Sequence, residues 1–193
     1  VVLGANTLKT GTLNGQKTFS GIIEGSGGLI LKDTVGKLTL EGVNTYTGAT
    51  TVEEGTLAIG GGGGIAASSG LTLFGTAVFD ISGATGTVAI KTLEGGTGTV
   101  VLLGSNTLIV DPAASAIFGG IIKGSGGVTK AGSGTQTFHA VNEYTGQTRI
   151  EGGTLALVGA GDIASSSGVD LAVAGARFDL TSAAGNRTIG GLD

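Results

Sequence analysis

Internal self-similarity is the feature that most constrains how this chain folds. Three segments return about a hundred residues later: VVLGANTL from Val1 as VLLGSNTL from Val101, FSGIIEGSGG from Phe19 as FGGIIKGSGG from Phe118, and IAASSGLTL from Ile65 as IASSSGVDL from Ile163. Such a fixed period is typical of repeat architectures. We therefore predict one segment, 1–193, made of about two repeats of roughly 98 to 100 residues, about 1–100 and about 101–193, as an excerpt of a longer array.

Within each repeat, the local pattern predicts short β-strands. Apolar and polar residues alternate in short runs, such as LTLF from Leu71 and VFDI from Val78, and glycine, asparagine or serine separates the runs. The 41 glycines and the absence of tryptophan leave few large side chains for an ordinary globular core. No window suits an amphipathic helix of any length, so the chain is predicted to be all-β.

Two all-β folds suit such short strands, a sandwich joined by hairpins and a parallel β-helix. Hairpins favour Asn-Gly turns between longer strands, and Asn14-Gly15 is the only such pair. A β-helix needs bends, which glycine with positive φ and asparagine can supply. The pattern favours the parallel β-helix. With about 20 to 25 residues per coil, about eight coils would form a rod about 40 Å long at the usual strand spacing.

A comparison of the two copies predicts which side chains point inward, because stacked coils share one apolar interior. Seven aligned pairs stay apolar: Val52 and Ile150, Leu57 and Leu155, Ile59 and Leu157, Leu73 and Leu171, Phe79 and Phe178, Ile81 and Leu180, and Ile90 and Ile189. Neighbouring positions change character, as Thr51 and Arg149 do, and are predicted to face solvent. Leu38 aligns with Gln136 and does not fit the interior pattern.

The stretches VNTYTG from Val43 and VNEYTG from Val141 share the pattern NxYTG and allow two interpretations. Exposed tyrosines would favour binding of a partner. In the structural interpretation, which we favour, asparagine sets a bend, threonine bonds nearby backbone, glycine takes positive φ and the tyrosine ring covers a coil edge. The predicted structural motif comprises Asn44, Tyr46, Thr47, Gly48, Asn142, Tyr144, Thr145 and Gly146.

The ionisable residues predict no catalytic site. Acid–base catalysis on a β-helix needs carboxylates clustered on neighbouring coils. Asp80 and Asp179 occupy equivalent places, as do Glu53 and Glu151, but about four coils, or ~19 Å, should separate the members of each pair. His139 is the only histidine and has no matching serine and aspartate. We therefore expect no catalytic residue.

Composition also argues against several classes of partner. Cysteine is absent, and the glycine run from Gly60 lacks the repeated aspartate of calcium-binding repeats, with only Asp162 in the other copy, so no metal or cofactor site is expected. A net charge of −4 without a basic stripe argues against nucleic acid. No apolar run is long enough for membrane insertion, and the N-terminus does not resemble a signal peptide.

The segment FSGIIEGSGGLILKDTVGKLTLEGVNTYTGATTVEEGTL, from Phe19 to Leu57, resembles the passenger-associated transport repeat of bacterial autotransporters. The segment from Phe118 to Leu155 is similar to the same repeat. The resemblance implies a right-handed, single-stranded parallel β-helix in a passenger that is secreted or displayed on the Gram-negative cell surface. In that family a separate C-terminal β-barrel of the parent chain brings the passenger across the outer membrane.

The resemblance does not fix the activity, because this family includes adhesins, aggregation factors, toxins and proteases. We expect a non-catalytic segment, a β-helical stalk that supports export and contributes either to self-association or to adhesion to an unidentified host-surface ligand. Neighbouring passenger coils would be its partners in the parent chain. The alternatives are the stalk of an enzyme-bearing passenger, such as a protease whose catalytic domain lies elsewhere, and, less favoured, a carbohydrate-active β-helix.

Overall fold

The computed structural model describes residues 1–11, 13 and 15–193, so Asn14 of the Asn14-Gly15 pair lies outside the described residues. The described residues form strands and no helix, and therefore no helix that could cross a membrane. The strands are β1 Leu8–Thr10, β2 Gln16–Phe19, β3 Leu29–Leu40, β4 Thr50–Gly61, β5 Leu71–Leu73, β6 Val78–Ala84, β7 Val88–Ile90, β8 Leu93–Gly95, β9 Val100–Gly104, β10 Leu108–Val110, β11 Ala116–Phe118, β12 Ile121–Gly124, β13 Val128–Lys130, β14 Thr135–Phe138, β15 Glu143–Tyr144, β16 Thr148–Ile150, β17 Thr154–Gly159, β18 Val169–Leu171 and β19 Arg177–Ala183.

Every strand pairing is parallel, and each one joins strands of successive coils. Leu8 pairs with Leu29, which sets a stride of 21 residues per coil. Gln136 pairs with Leu155 and Val158 with Ser182, so the stride varies from 19 to 24 residues. Parallel pairing at this stride is the geometry of a β-solenoid, because each turn of chain returns to the same face one strand spacing higher.

The strands stack in three ladders that run along the solenoid. The first ladder contains β1, the start of β3, the start of β4, β5, β8, β11, β14, β17 and β19. The second contains β2, the end of β3, the end of β4, β6, β9, β12 and β15. The third contains β7, β10, β13, β16 and β18. The first ladder has eight steps, which confirms the predicted all-β parallel β-helix of about eight coils.

Most of the predicted interior positions are buried. Ten of the fourteen are at most 2% exposed: Val52, Leu57, Ile59, Leu73, Phe79, Ile81, Ile90, Ile150, Leu155 and Leu157. Phe178 and Ile189 are half-buried and still pack against the core, whereas Leu171 is 37% and Leu180 39% exposed. The prediction is wrong for these last two, because no later strand of the 193 residues is stacked on β19, and β18 is followed only by the isolated bridge between Val169 and Leu192.

The mismatch between Leu38 and Gln136 does not reverse the facing of the strand. Leu38 is 7% exposed and Gln136 is fully buried, so both side chains point inward. The Gln136 Nε2 donates a hydrogen bond to the carbonyl of Leu93 at 3.0 Å, and the small Ala116 stands before Gln136 in the ladder. The Gln136 Oε1 is buried and accepts no hydrogen bond from the described residues. One polar side chain therefore occupies an apolar ladder.

Lys130 is a charged side chain in the interior. It lies in the third ladder between Val110 and Ile150 and is fully buried. Its Nζ donates to the carbonyls of Gly132 and Gly152, each at 3.0 Å, and to the carbonyl of Ala131. Burial lowers the pKa of Lys130, because it penalises the charged form, and the charge of Asp111 partly opposes this shift. Backbone carbonyls thus replace water around a buried ammonium group.

Equivalent residues of the two copies lie on different faces of the solenoid. Thr50 and Thr148 are equivalent and stand 98 positions apart, yet Thr50 belongs to the first ladder and Thr148 to the third. At about 21 residues per coil, this separation is about four and two-thirds turns rather than the four expected from sequence. Equivalent surface positions are therefore rotated by about a third of a turn as well as displaced along the axis.

Candidate functional site

Both tyrosines of the NxYTG motifs point into the solenoid interior. Tyr46 and Tyr144 are 0% exposed, so neither ring is available to a partner at the surface. Each hydroxyl lies 2.6 Å from the hydroxyl of the threonine four residues later, Thr50 or Thr148. Burial raises the pKa of Tyr46 to about 12 and also raises the pKa of Tyr144, because a phenolate would lose its solvation. Both tyrosines are therefore neutral core residues.

The asparagine of each motif joins three successive coils. The Asn44 Oδ1 accepts a hydrogen bond from the backbone N–H of Ile23 at 2.9 Å, in the preceding coil. The Asn44 Nδ2 donates to the carbonyls of Gly42 at 2.8 Å and of Gly64 at 3.1 Å, the latter in the following coil. Asn142 makes the corresponding three bonds. A single buried amide thus bonds one backbone N–H and two backbone carbonyls, and it fastens the bend to the coils before and after it.

The glycines of the motif are needed for a reason other than the one predicted. Neither Gly48 nor Gly146 has positive φ. A Cβ on Gly48 would lie 2.4 Å from the carbonyl oxygen of Gly27, and a Cβ on Gly146 would lie 2.4 Å from the carbonyl oxygen of Gly126. Both distances are far shorter than van der Waals contact. Close approach of the preceding coil therefore excludes any side chain at these two positions.

The threonines of the motif also differ from expectation. Thr47 and Thr145 are exposed, and neither side chain makes a hydrogen bond in the part of the chain that the structure describes. Their backbone N–H groups instead donate to the carbonyls of Gly25 and Gly124, both at 2.9 Å. In each motif Tyr is thus inside and the adjacent Thr is outside, as alternation along a strand requires.

Sequence reasoning missed the second half of this network. The Thr50 Oγ1 lies 2.9 Å from the Ser68 Oγ, and that serine donates to the carbonyl of Gly48 at 2.9 Å. Thr148 and Ser166 repeat the same distances. The signal was present: both copies have threonine four residues after the tyrosine and a serine in the IAASSG or IASSSG stretch. The hydroxyls form a buried relay that ties each NxYTG corner to the next coil.

The carboxylates considered for catalysis have local structural partners. The Asp80 Oδ1 accepts from the N–H and hydroxyl of Ser82 at 2.9 and 2.6 Å, and its Oδ2 lies 2.7 Å from the Lys37 Nζ. Burial alone would raise the pKa of Asp80, but the bonds from Lys37 and Ser82 outweigh it and lower the pKa. Asp179 accepts in the same way from Thr181, which lowers its pKa. Each carboxylate fastens its own bend.

The remaining ionisable candidates are solvated surface groups. Glu53 lies 3.8 Å from the Lys9 Nζ and 3.5 Å from the Lys32 Nζ, and Glu151 lies 2.8 Å from the Arg149 Nε. His139 is exposed. The structure brings none of these residues to Asp80 or Asp179 by any hydrogen bond or ion pair that it records. They are side chains of an ordinary β-surface.

The glycine-rich stretch offers no cage of metal ligands. Among the described residues, no three His, Cys, Asp or Glu side chains lie close enough together to hold a metal ion. Asp162, the one acid near the equivalent stretch, accepts the N–H of Ala164 at 2.8 Å and lies 3.9 Å from the Arg187 Nε. Its carboxylate therefore serves a local bend and an ion pair with a largely buried arginine side chain.

The fold and the two NxYTG motifs define a class of protein, a parallel β-helical rod. The buried residues of these motifs stabilise the packing of its own coils. A model of the passenger-associated transport repeat matches residues 35–59 and 128–157, and the two matches contain the two NxYTG motifs. The chain is also similar to the adhesin BmaC autotransporter of Brucella suis biovar 1 (strain 1330), with 36% identity over 142 residues. The chain is thus an autotransporter passenger segment with passenger-associated transport repeats.

The similarity covers most of this chain but only a small part of the Brucella protein. The aligned region is 72% of this chain but 4% of the Brucella protein. No solved structure matches the chain. The similarity therefore identifies the type of segment, and the activity of a whole passenger does not follow from it.

Proposed function

We propose that this chain is a non-catalytic rod segment of a passenger that is displayed on the bacterial surface or secreted, and that it supports export and extends the passenger from the cell. The observation that carries the proposal is the continuous stacking of three ladders, whose corners are fastened by the Asn44 and Asn142 amides and by the Tyr46 and Tyr144 hydroxyl relays. Such a chain resists bending because each coil is packed and hydrogen-bonded to both neighbours.

Two observations support a non-catalytic role. Asp80 and Asp179 are the best candidate carboxylates for glycan hydrolysis. Each accepts a hydrogen bond from the backbone two residues later and forms an ion pair with a basic side chain, Lys37 or Arg177. The name of the similar Brucella protein describes an adhesin, which is a binding function. That name also favours a second role for this chain, a contribution to adhesion or self-association through its outer surface.

The rod role is tested by placing a peptide epitope before Val1 and a surface-display anchor after Asp193, and by measuring antibody access on cells with long surface polysaccharide. We expect efficient antibody binding with residues 1–193 present and poor binding when the epitope joins the anchor directly. Equal access in both cases, with equal total display after permeabilisation, would contradict the rod role.

The adhesive role needs a separate measurement. Beads coated with residues 1–193 should adhere to host cells or to each other more than beads coated with an unrelated β-rich protein of similar charge. Equal adherence of both kinds of bead would remove the adhesive role and leave the rod role intact.

A further inference from the structure

Phe74 is the one exposed aromatic side chain of this protein. Its side chain is 53% exposed, whereas the other five phenylalanines and both tyrosines, all within the described residues, are buried or half-buried. Phe74 directly follows strand β5, and the equivalent residue of the second copy is Ala172. The repeat fold therefore does not require an aromatic residue at this position.

The ring borders a concavity of about 520 Å³, which we name the Phe74 groove. The groove is lined by Thr72, Phe74, Glu94, Gly95, Gly96 and Ile117, among others. The groove crosses three successive coils. Thr72 on the first coil pairs with Glu94 on the second, and Gly95 on the second pairs with Phe118 on the third. At a strand spacing of about 4.8 Å, the coils that carry Phe74 and Ile117 are about 9.6 Å apart.

The floor and the rim of the Phe74 groove differ in character. Gly95 and Gly96 form a floor without side chains between two apolar walls, Phe74 and the 55% exposed Ile117. At the rim, the hydroxyl of Thr72 donates weakly to the Glu94 carboxylate at 3.4 Å, which leaves most of the acceptor capacity of that carboxylate free. The groove thus combines an aromatic face, a flat base and a hydrogen-bonding edge.

We propose that the Phe74 groove binds a neutral hexopyranose unit of a glycan. A pyranose ring has an apolar face of C–H groups, which suits the Phe74 ring, and a rim of hydroxyl donors, which suits the two oxygens of Glu94 and the hydroxyl of Thr72. The volume of the groove, about 520 Å³, accommodates one such ring beside Gly95 and Gly96. Adjacent sugar units would run along the surface beyond Ile117.

Charge and shape favour this ligand over others. Glu94 lies in the groove and the chain carries a net charge of −4, so acidic sugars and phosphates would be repelled. A basic peptide would pair with Glu94, but a single carboxylate offers it only one ionic contact, and the flat glycine floor has no pocket for a side chain. The inference is independent of the rod role, which does not involve Phe74.

Saturation-transfer NMR on the intact 193-residue chain tests the proposal. The probes are the methyl glycosides of glucose, galactose, mannose and N-acetylglucosamine, each added separately. We expect transfer to the ring C–H protons of at least one sugar, with a dissociation constant on the order of 1 mM, because the groove is shallow and open. Phe74→Ala should weaken binding about tenfold by removing the stacking face.

Two further variants make the result specific. Glu94→Gln should weaken binding as well, whereas Val141→Ala, at an exposed apolar residue outside the groove, should not change it. Thermal melting should be the same for Phe74→Ala and the wild type, since alanine already occupies the equivalent position, Ala172. Absence of transfer to all four sugars, or transfer that is unchanged in both groove variants, would overturn the proposal. Binding of an oligolysine peptide that depends on Phe74, without sugar binding, would also overturn it.

Discussion

Replacing Tyr144 by alanine should destabilise this β-helix far more than replacing its neighbour Thr145 by alanine. The two residues share one bend, but Tyr144 is fully buried and Thr145 is exposed. If the NxYTG motif served a partner, the exposed threonine would matter for binding and the tyrosine would be accessible. If the motif serves packing, the whole effect should be on the free energy of unfolding and should fall on the tyrosine.

The structure sets the expected magnitudes. Loss of a fully buried aromatic ring costs about 3 to 5 kcal/mol, because a cavity remains in a packed interior. Tyr144→Phe removes only the hydroxyl, and Thr148 keeps its bond to Ser166, so this variant should cost about 0.5 to 1.5 kcal/mol. Thr145→Ala should stay within about 0.5 kcal/mol of the wild type, since its side chain is solvated.

Urea unfolding followed by far-UV circular dichroism measures these differences. The urea concentration at the midpoint of unfolding should be highest for the wild type and Thr145→Ala, lower for Tyr144→Phe and lowest for Tyr144→Ala. The dependence of the unfolding free energy on urea concentration should be the same for all four proteins. The reasoning fails if Tyr144→Ala unfolds at the same urea concentration as Thr145→Ala. It also fails if Tyr144→Phe costs as much as Tyr144→Ala, because the ring would then contribute no packing energy.

Three more substitutions test the interior and the bends. Gly146→Ala should lower the free energy of unfolding, measured with urea, by about 1 to 3 kcal/mol, because its Cβ would meet the backbone of the preceding coil. The control Gly62→Ala, at a glycine with open space around it, should lower this free energy by less than about 1 kcal/mol. Equal losses for the two variants would contradict this prediction. Gln136→Leu should raise the melting temperature, because it removes a buried oxygen that accepts no hydrogen bond from the described residues. A fall would show that the lost bond from the Gln136 Nε2 to the Leu93 carbonyl outweighs this gain. The pKa of Asp80 is lowered in the folded protein, so its carboxylate stabilises the fold above about pH 4, and this stabilisation is lost as the pH falls through the lowered pKa. Asp80→Asn should therefore reduce the loss of unfolding free energy at acid pH, measured in a series of urea unfolding curves. An unchanged loss would show that other groups cause it.

The repeat and the alternation of apolar residues were enough to predict the fold. Stacked coils need the same apolar positions in each turn, and Val52 with Ile150 or Leu57 with Leu155 meet that need in sequence and in structure. The exceptions have physical reasons. Leu171 and Leu180 keep the interior pattern, and they are exposed because no later strand of the 193 residues is stacked on β18 or β19.

The site was less predictable because its contacts join residues of different coils. The burial of Tyr46 follows from alternation with its exposed neighbours, but its bond to Thr50 and the relay to Ser68 depend on how one coil lies on the next. The positive φ expected at Gly48 was wrong for the same reason, since the coil before it, and not its own bend, excludes a side chain. Lys130 aligns with Leu31 and alternates with Val128, which indicates an interior position, but lysine is a residue type that is usually exposed.

The distance between Lys9 and Thr137 tests the central claim, a continuous rod, most directly. Both residues face outward in the first ladder and are six coils apart along its pairings. Because the chain has no cysteine, Lys9→Cys together with Thr137→Cys accepts two spin labels without further changes. Pulsed electron paramagnetic resonance should give one narrow distribution of distances between the two labels, centred at about 29 Å, which is six strand spacings. A broad distribution, or a mean well below 20 Å, would contradict the stacked solenoid.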